Sequence, residues 1–241
     1  HVWMTSWDGA RHVQVTGRDG ESESSPAFSP DGSRLAFISG RGDEDGDAAL
    51  WVMDRAGGEA QKLKGITGSV DDFAWSPDSR QILLVLTDPD PEKAEADAKD
   101  AKPADAGKKQ PKPIVIDRFQ FKRDSEGYLG KQHSRLWLYD LATATARRLT
   151  SGDYDEKLPA WSPDGSRIVF TSNRSADPDR GYDSNLWLIR PSEKNLEPTR
   201  LTSFEGADND TDGSYPAWSP DGSRIAYLQG GPVKLFAYGS N

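Results

Sequence analysis

Short apolar runs alternate with polar turns along this chain, and one run-and-turn unit comes back in four copies. It is clearest as Ala27-Phe28-Ser29-Pro30-Asp31-Gly32-Ser33-Arg34-Leu35-Ala36-Phe37-Ile38. It returns at Ala74–Leu83, Ala160–Phe170 and Ala217–Tyr227, with Trp75, Trp161 and Trp218 in the place of Phe28. Proline presets φ for the second position of a tight turn, aspartate and serine bond the turn backbone, and glycine takes a positive φ. Each copy is therefore predicted to be a hairpin, with the aromatic residue on its first strand and the apolar run on its second. Ser79 stands where the other copies have glycine, which predicts a strained turn or a turn of another type.

Two further strands follow in each unit. Leu50-Trp51-Val52-Met53-Asp54, Leu136-Trp137-Leu138-Tyr139-Asp140 and Leu186-Trp187-Leu188-Ile189-Arg190 supply a third, with an isolated copy at Val2-Trp3-Met4-Thr5. Gln61-Lys62-Leu63, Arg147-Arg148-Leu149-Thr150 and Thr199-Arg200-Leu201-Thr202 supply a fourth, preceded by Gln14-Val15-Thr16. Four short strands per repeat, with a large aromatic at fixed places, is the pattern of a β-propeller blade. The predicted class is all-β. Of the eight tryptophans only Trp7 lies outside these registers, so the rest are expected to pack blade on blade rather than to stack a ligand.

The predicted blade parts are 1–20, 24–65, 70–150, 157–202 and 215–241: three complete blades with partial ones at both ends. An open arc leaves bare strand edges, so the chain is expected to be a fragment of a larger, about seven-bladed ring. The alternative is a closed four-bladed ring, with strands from the two chain ends combining in one blade. The spacing from Pro77 to Pro163 is 86 residues, against 47 and 57 for the other intervals. The excess is a charged stretch at 88–113, predicted to be a flexible insertion. After it comes a strand-like segment, Ile114 to Tyr128, with no counterpart in the other blades. An addition to one repeat often marks a functional face.

Composition removes several classes of function. The formal net charge is −9, and no basic stripe offers phosphate neutralisation, so no nucleic-acid partner is expected. The absence of cysteine excludes a disulfide frame and a thiol nucleophile. No apolar run approaches the length of a membrane span, so no membrane partner is expected. No cofactor or metal is expected either. Asp208-Asn209-Asp210-Thr211-Asp212-Gly213 matches the first half of a calcium loop, but its twelfth position is Ser219, and an acidic loop is favoured. Arg41-Gly42-Asp43 reads as a solvated blade loop. No Gly-x-Ser-x-Gly elbow occurs, and His133 beside Ser134 is adjacency rather than a triad.

The repeated Ser-Pro-Asp-Gly hairpins resemble the propeller repeats of Tol-type periplasmic proteins and of the prolyl-oligopeptidase family of serine peptidases. The segment Asp117 to Tyr128, followed by Leu136–Asp140 and Arg147–Thr150, is similar to the bacterial dipeptidyl-peptidase and acylaminoacyl-peptidase propellers. That resemblance implies a non-catalytic propeller that gates and selects peptide substrates for an α/β-hydrolase domain outside this chain. The partners it implies are thus a peptide and the parent's hydrolase domain. Arg118, Lys122 and Arg123 are the candidate substrate-binding residues, since a basic side chain facing a cavity pairs with a peptide carboxylate or carbonyl. Salt bridges to Asp117, Asp124 or Glu126 are the competing role for them. The rival reading of the whole chain is a Tol-type module that binds a protein or peptide. The expected compartment is cytoplasmic, with the periplasm as the alternative.

Overall fold

The computed structural model describes residues 1–17, 22–41, 47–89, 116, 118–123, 127–181, 183–209 and 214–232. Outside them lie nearly all of the insertion, Gly42-Asp43, Asp117, Asp124 to Glu126, the acidic stretch 210–213 and the possible strand at Val233–Tyr238.

Each predicted hairpin forms, and the first three join further strands as the repeat implies. β1 (Trp3–Thr5) and β2 (His12–Gln14) pair at the amino end. β3 (Glu23–Phe28), β4 (Arg34–Ser39), β5 (Ala49–Asp54) and β6 (Gln61–Lys62) make a four-stranded antiparallel sheet in chain order. The next sheet takes β7 (Ser69–Trp75) and β8 (Gln81–Thr87), and is completed by β11 (Ser134–Asp140) and β12 (Thr145–Arg148). Between its halves the chain makes a small hairpin of β9 (Lys122–Arg123) and β10 (Gly127–Tyr128). β13 (Glu156–Trp161), β14 (Ile168–Ser172), β15 (Asn185–Ile189) and β16 (Thr199–Arg200) form the third full sheet. The last blade is split: β17 (Gly206–Asp208) pairs with β20 (Gln229–Pro232), and β18 (Ala217–Trp218) with β19 (Ile225–Ala226). The architecture is an all-β propeller arc.

The second strands show why their apolar runs are continuous. In β8 every residue from Ile82 to Leu86 is buried. Ile82, Leu84 and Leu86 face a core shared with Ala36, Ile38 and Leu50 of the preceding blade. Leu83 and Val85 face the opposite core, with Ile168, Phe170 and Ile189 of the following blade. A strand covered on both faces has no polar side to alternate with. The first strands of neighbouring blades, β7 with β13 and β13 with β18, also touch. Beyond them, the Tyr215 hydroxyl donates to Asp72 Oδ2 at 2.7 Å, tying the last first strand to the one two blades earlier.

Blades are also joined by hydrogen bonds that repeat. Trp75 Nε1 donates to the Ala27 carbonyl and Trp218 Nε1 to the Ala160 carbonyl, each at 3.2 Å and each one blade back. Arg41 stacks over Trp51 at 3.9 Å, and Arg174 over Trp187 at 5.1 Å, so these indoles are packed as expected. Trp3 departs from that expectation at 62% exposure: neither β1 nor β2 has a further strand beside it, and its burial pattern is open throughout.

In every turn the serine hydroxyl (Ser29, Ser76, Ser162, Ser219) donates to the aspartate two residues on. It also accepts the amide that opens the second strand. The bond from that serine first, then those from the amide and hydroxyl of Ser33 or Ser223, pull the pKa values of Asp31 and Asp221 down to about 2. Ser79 does adopt a positive φ, 61°, as Gly32, Gly165 and Gly222 do in their turns. Its hydroxyl accepts the Asp31 amide of the neighbouring turn at 3.0 Å, a bond no glycine makes.

Candidate functional site

The first strands share a break in register that repetition alone did not reveal. In β3 and β13 the pairing shifts between Ser24 and Ala27 and between Lys157 and Ala160, with Ser25 and Leu158 at positive φ. Asn209 at φ 61° opens the larger break between β17 and β18. The breaks in β3 and β13 set an acid at the start of the strand, Glu23 opposite Ser39 and Glu156 opposite Ser172, and Asp208 opposite Gln229 ends β17 before the larger break. The sequence signal is a carboxylate four residues before the Ala-aromatic pair, present as Glu23 and Glu156 and replaced by Val70 in the second hairpin.

Glu156 is fully buried. Arg174 Nη2 lies 2.6 Å from Oε1, and the Thr150 hydroxyl of the preceding blade donates to Oε2 at 2.9 Å. Burial nonetheless pushes Glu156 up to about 7, against the pull of Arg174 and Thr150. A buried carboxylate is costly unless ion pairing and hydrogen bonds offset its desolvation. Arg174 also stacks on Tyr154, Phe170 and Trp187, so one guanidinium locks three aromatic rings at the blade's end.

Beside this lock opens a cleft of about 960 Å³. One wall is made by Ile116, Arg118 to Gln120, Gly130 and Lys131 of the second full sheet's long crossover; the other is the blade made by β13 to β16. The unmatched segment picked out in the sequence thus borders this cleft. Arg118 holds it there: its Nη2 and Nε reach Asp179 Oδ1 at 2.7 and 3.2 Å, and its Nη1 donates to the Gly130 carbonyl at 2.7 Å. Asp179 Oδ2 accepts the Gln120 amide at 2.8 Å. Phe119, an exposed ring, lies under Arg180 at 4.8 Å. An aspartate of the β14–β15 loop, 61 residues on, is thus a partner of Arg118, while Asp117, Asp124 and Glu126 of its own segment lie outside the described residues. Lys122 is exposed on β9; the Arg123 side chain lies outside the described residues.

On the cleft floor, His133 Nδ1 lies 3.1 Å from Asp155 Oδ1, which also accepts the Ser134 amide. Burial raises the Asp155 pKa, but the His133 and Ser134 hydrogen bonds outweigh it and hold this carboxyl below its usual range. The histidine is thus an oriented, partly buried group rather than the surface residue its sequence position suggests. Among the described residues no nucleophile completes a triad: the Ser134 hydroxyl bonds Asp71 and Thr87 instead. Among the described residues no cluster of three or more His, Asp or Glu is placed to hold a metal ion. No described helix is long and apolar enough to cross a membrane.

Residues 122–231 match the family described as the dipeptidyl peptidase IV N-terminal region. The uncharacterized peptidase YuxL of Bacillus subtilis is 34% identical over 178 residues, covering 70% of this chain and 25% of that protein. The chain therefore spans about a quarter of that relative's length. Among solved structures, the Pyrococcus horikoshii acylaminoacyl peptidase superposes with TM-score 0.56 at 19% identity, covering 92% of this chain and 29% of that one. TolB from Acinetobacter baumannii superposes with TM-score 0.54, also at 19% identity, over 96% of this chain and 43% of its own. At such identities both superpositions establish the fold alone.

Proposed function

The chain is a β-propeller region of the prolyl-oligopeptidase family, and from that premise we propose that it gates and selects peptide substrates for a hydrolase domain of a longer parent protein. The observation that carries this reading is the pinned segment. A stretch found in one blade only is fixed by Arg118 and Asp179 along a cleft wide enough for an extended peptide. Conserving the fold needs no such addition; shaping an entrance does.

In this reading Arg118 acts by holding the wall, because all three of its guanidinium nitrogens are engaged. Lys122, exposed on the same segment, and Arg123 beside it are the basic groups that meet incoming carboxylates or carbonyls. In this reading hydrolysis is left to the parent's other domain, and the Ser134 hydroxyl next to the oriented histidine is engaged with Asp71 and Thr87. Cleavage belongs to the parent, whose location we place in the cytoplasm. A second reading, a Tol-type module binding a protein or peptide partner, draws on the repeated Ser-Pro-Asp-Gly hairpins.

The intact mass of the natural gene product, compared with the 26.5 kDa of this chain, separates the two. A product two to three times heavier that labels with a fluorophosphonate probe supports the peptidase reading. An unlabelled product leaves the binding module.

A further inference from the structure

We propose that His133 is the hydrogen-bond acceptor through which the cleft grips a backbone N–H of an extended peptide. The inference rests on the peptide reading above and names the contact it lacks.

The chemistry follows from the tautomer. Asp155 stays ionised and so can only accept. Its Oδ1 faces His133 Nδ1 at 3.1 Å, which places the imidazole proton on Nδ1 and leaves the lone pair on Nε2. Nε2 has no partner among the described residues, and it is not among the buried polar atoms left unpaired. With 18% of the side chain exposed, that nitrogen opens on the cleft. The His133 main chain is held as well, its carbonyl accepting the Asp88 amide at 3.0 Å.

The ligand class is decided by what surrounds this lone pair. An anion brings no proton to a lone pair, and the cleft's two arginines are already held, Arg118 by Asp179 and Arg180 by Asp177. A metal ion would need further ligands, and no such cluster is present among the described residues. A charged amine is disfavoured by Lys157, exposed on the same cleft and close enough to act on Asp155. A neutral amide N–H suits an acceptor lying between an ion-paired aspartate and a lysine.

The test is calorimetric titration of the 241-residue chain with an N-acetylated, C-amidated heptapeptide at pH 8, for wild type, His133→Phe and His133→Gln. Phenylalanine keeps the ring and removes the acceptor; glutamine sets a carbonyl oxygen near the place of Nε2. Loss of one such bond, with the ligand's N–H left unpaired, weakens binding about tenfold in H133F, and H133Q recovers most of it. Equal binding by all three proteins overturns the assignment to His133 but leaves peptide recognition standing. Tighter binding of a free-amine peptide overturns the amide as ligand. No binding by wild type overturns the assignment together with the peptide reading it rests on.

Discussion

Replacing Ser79 tests how the blades are held together, because two opposing effects meet at one residue. Its φ of 61° costs an L-residue about 1–2 kcal/mol relative to glycine. Its hydroxyl accepts the Asp31 amide of the next turn at 3.0 Å, a bond contributing about 0.5–1.5 kcal/mol. Ser79→Ala removes the bond and keeps the strain, so it destabilises by about 1 kcal/mol. Ser79→Gly removes the bond and also the strain, but adds about 0.5–1 kcal/mol of backbone entropy in the unfolded chain, so the sum is near zero. The alanine variant should therefore melt about 2–4 °C below wild type, and the glycine variant within about 1 °C of it. Urea titrations with an unchanged slope give the same order, and faster amide exchange at Asp31 in both variants reports the lost bond. The reasoning fails if alanine is neutral, or if glycine proves worse than alanine.

Three further outcomes follow from other contacts. Trp75→Phe costs about 1 kcal/mol more than Trp161→Phe, because the Trp75 indole donates to Ala27 while the Trp161 nitrogen has no partner among the described residues; paired thermal melts read the difference. Glu156 has its folded pKa raised from 4.5 to about 7, so its favourable contribution is full below pH 4.5 and fades as pH rises through 7. Stability should fall by on the order of 2–3 kcal/mol between pH 4.5 and pH 8, and Glu156→Gln should flatten that slope. Asp179→Ala releases both Arg118 and the Gln120 amide, so hydrogen exchange should speed up across 118–130 while the melting temperature changes little.

The repeat made most of this fold legible in the sequence. Turn chemistry fixed each hairpin, and the apolar runs fixed which strands are covered on both faces, as Ile82 to Leu86 show. The site was only half visible. The segment from Ile114 stood out because nothing else in the chain matches it, yet Arg118 finds its partner in Asp179, 61 residues on, and local sequence favoured nearer acids. His133 drew attention through Ser134 beside it, whereas the residue that orients it is Asp155, across a strand pair. The carboxylates at the register breaks were missed for a different reason. A charge at a bulge breaks alternation without announcing burial, and Val70 interrupts the series of Glu23 and Glu156. Trp3 showed the reverse error: a residue in a core register that is open to solvent.

The claim that this propeller selects peptides is tested most directly by kcat/KM of the full-length gene product for an extended peptide and for a small activated ester, before and after Asp179→Ala. The ester reaches a catalytic serine without needing the cleft's shape; the peptide does not. The account predicts that the variant changes peptide turnover several-fold and leaves ester turnover and the melting temperature unchanged. Equal changes in both substrates, or none in either, would contradict it.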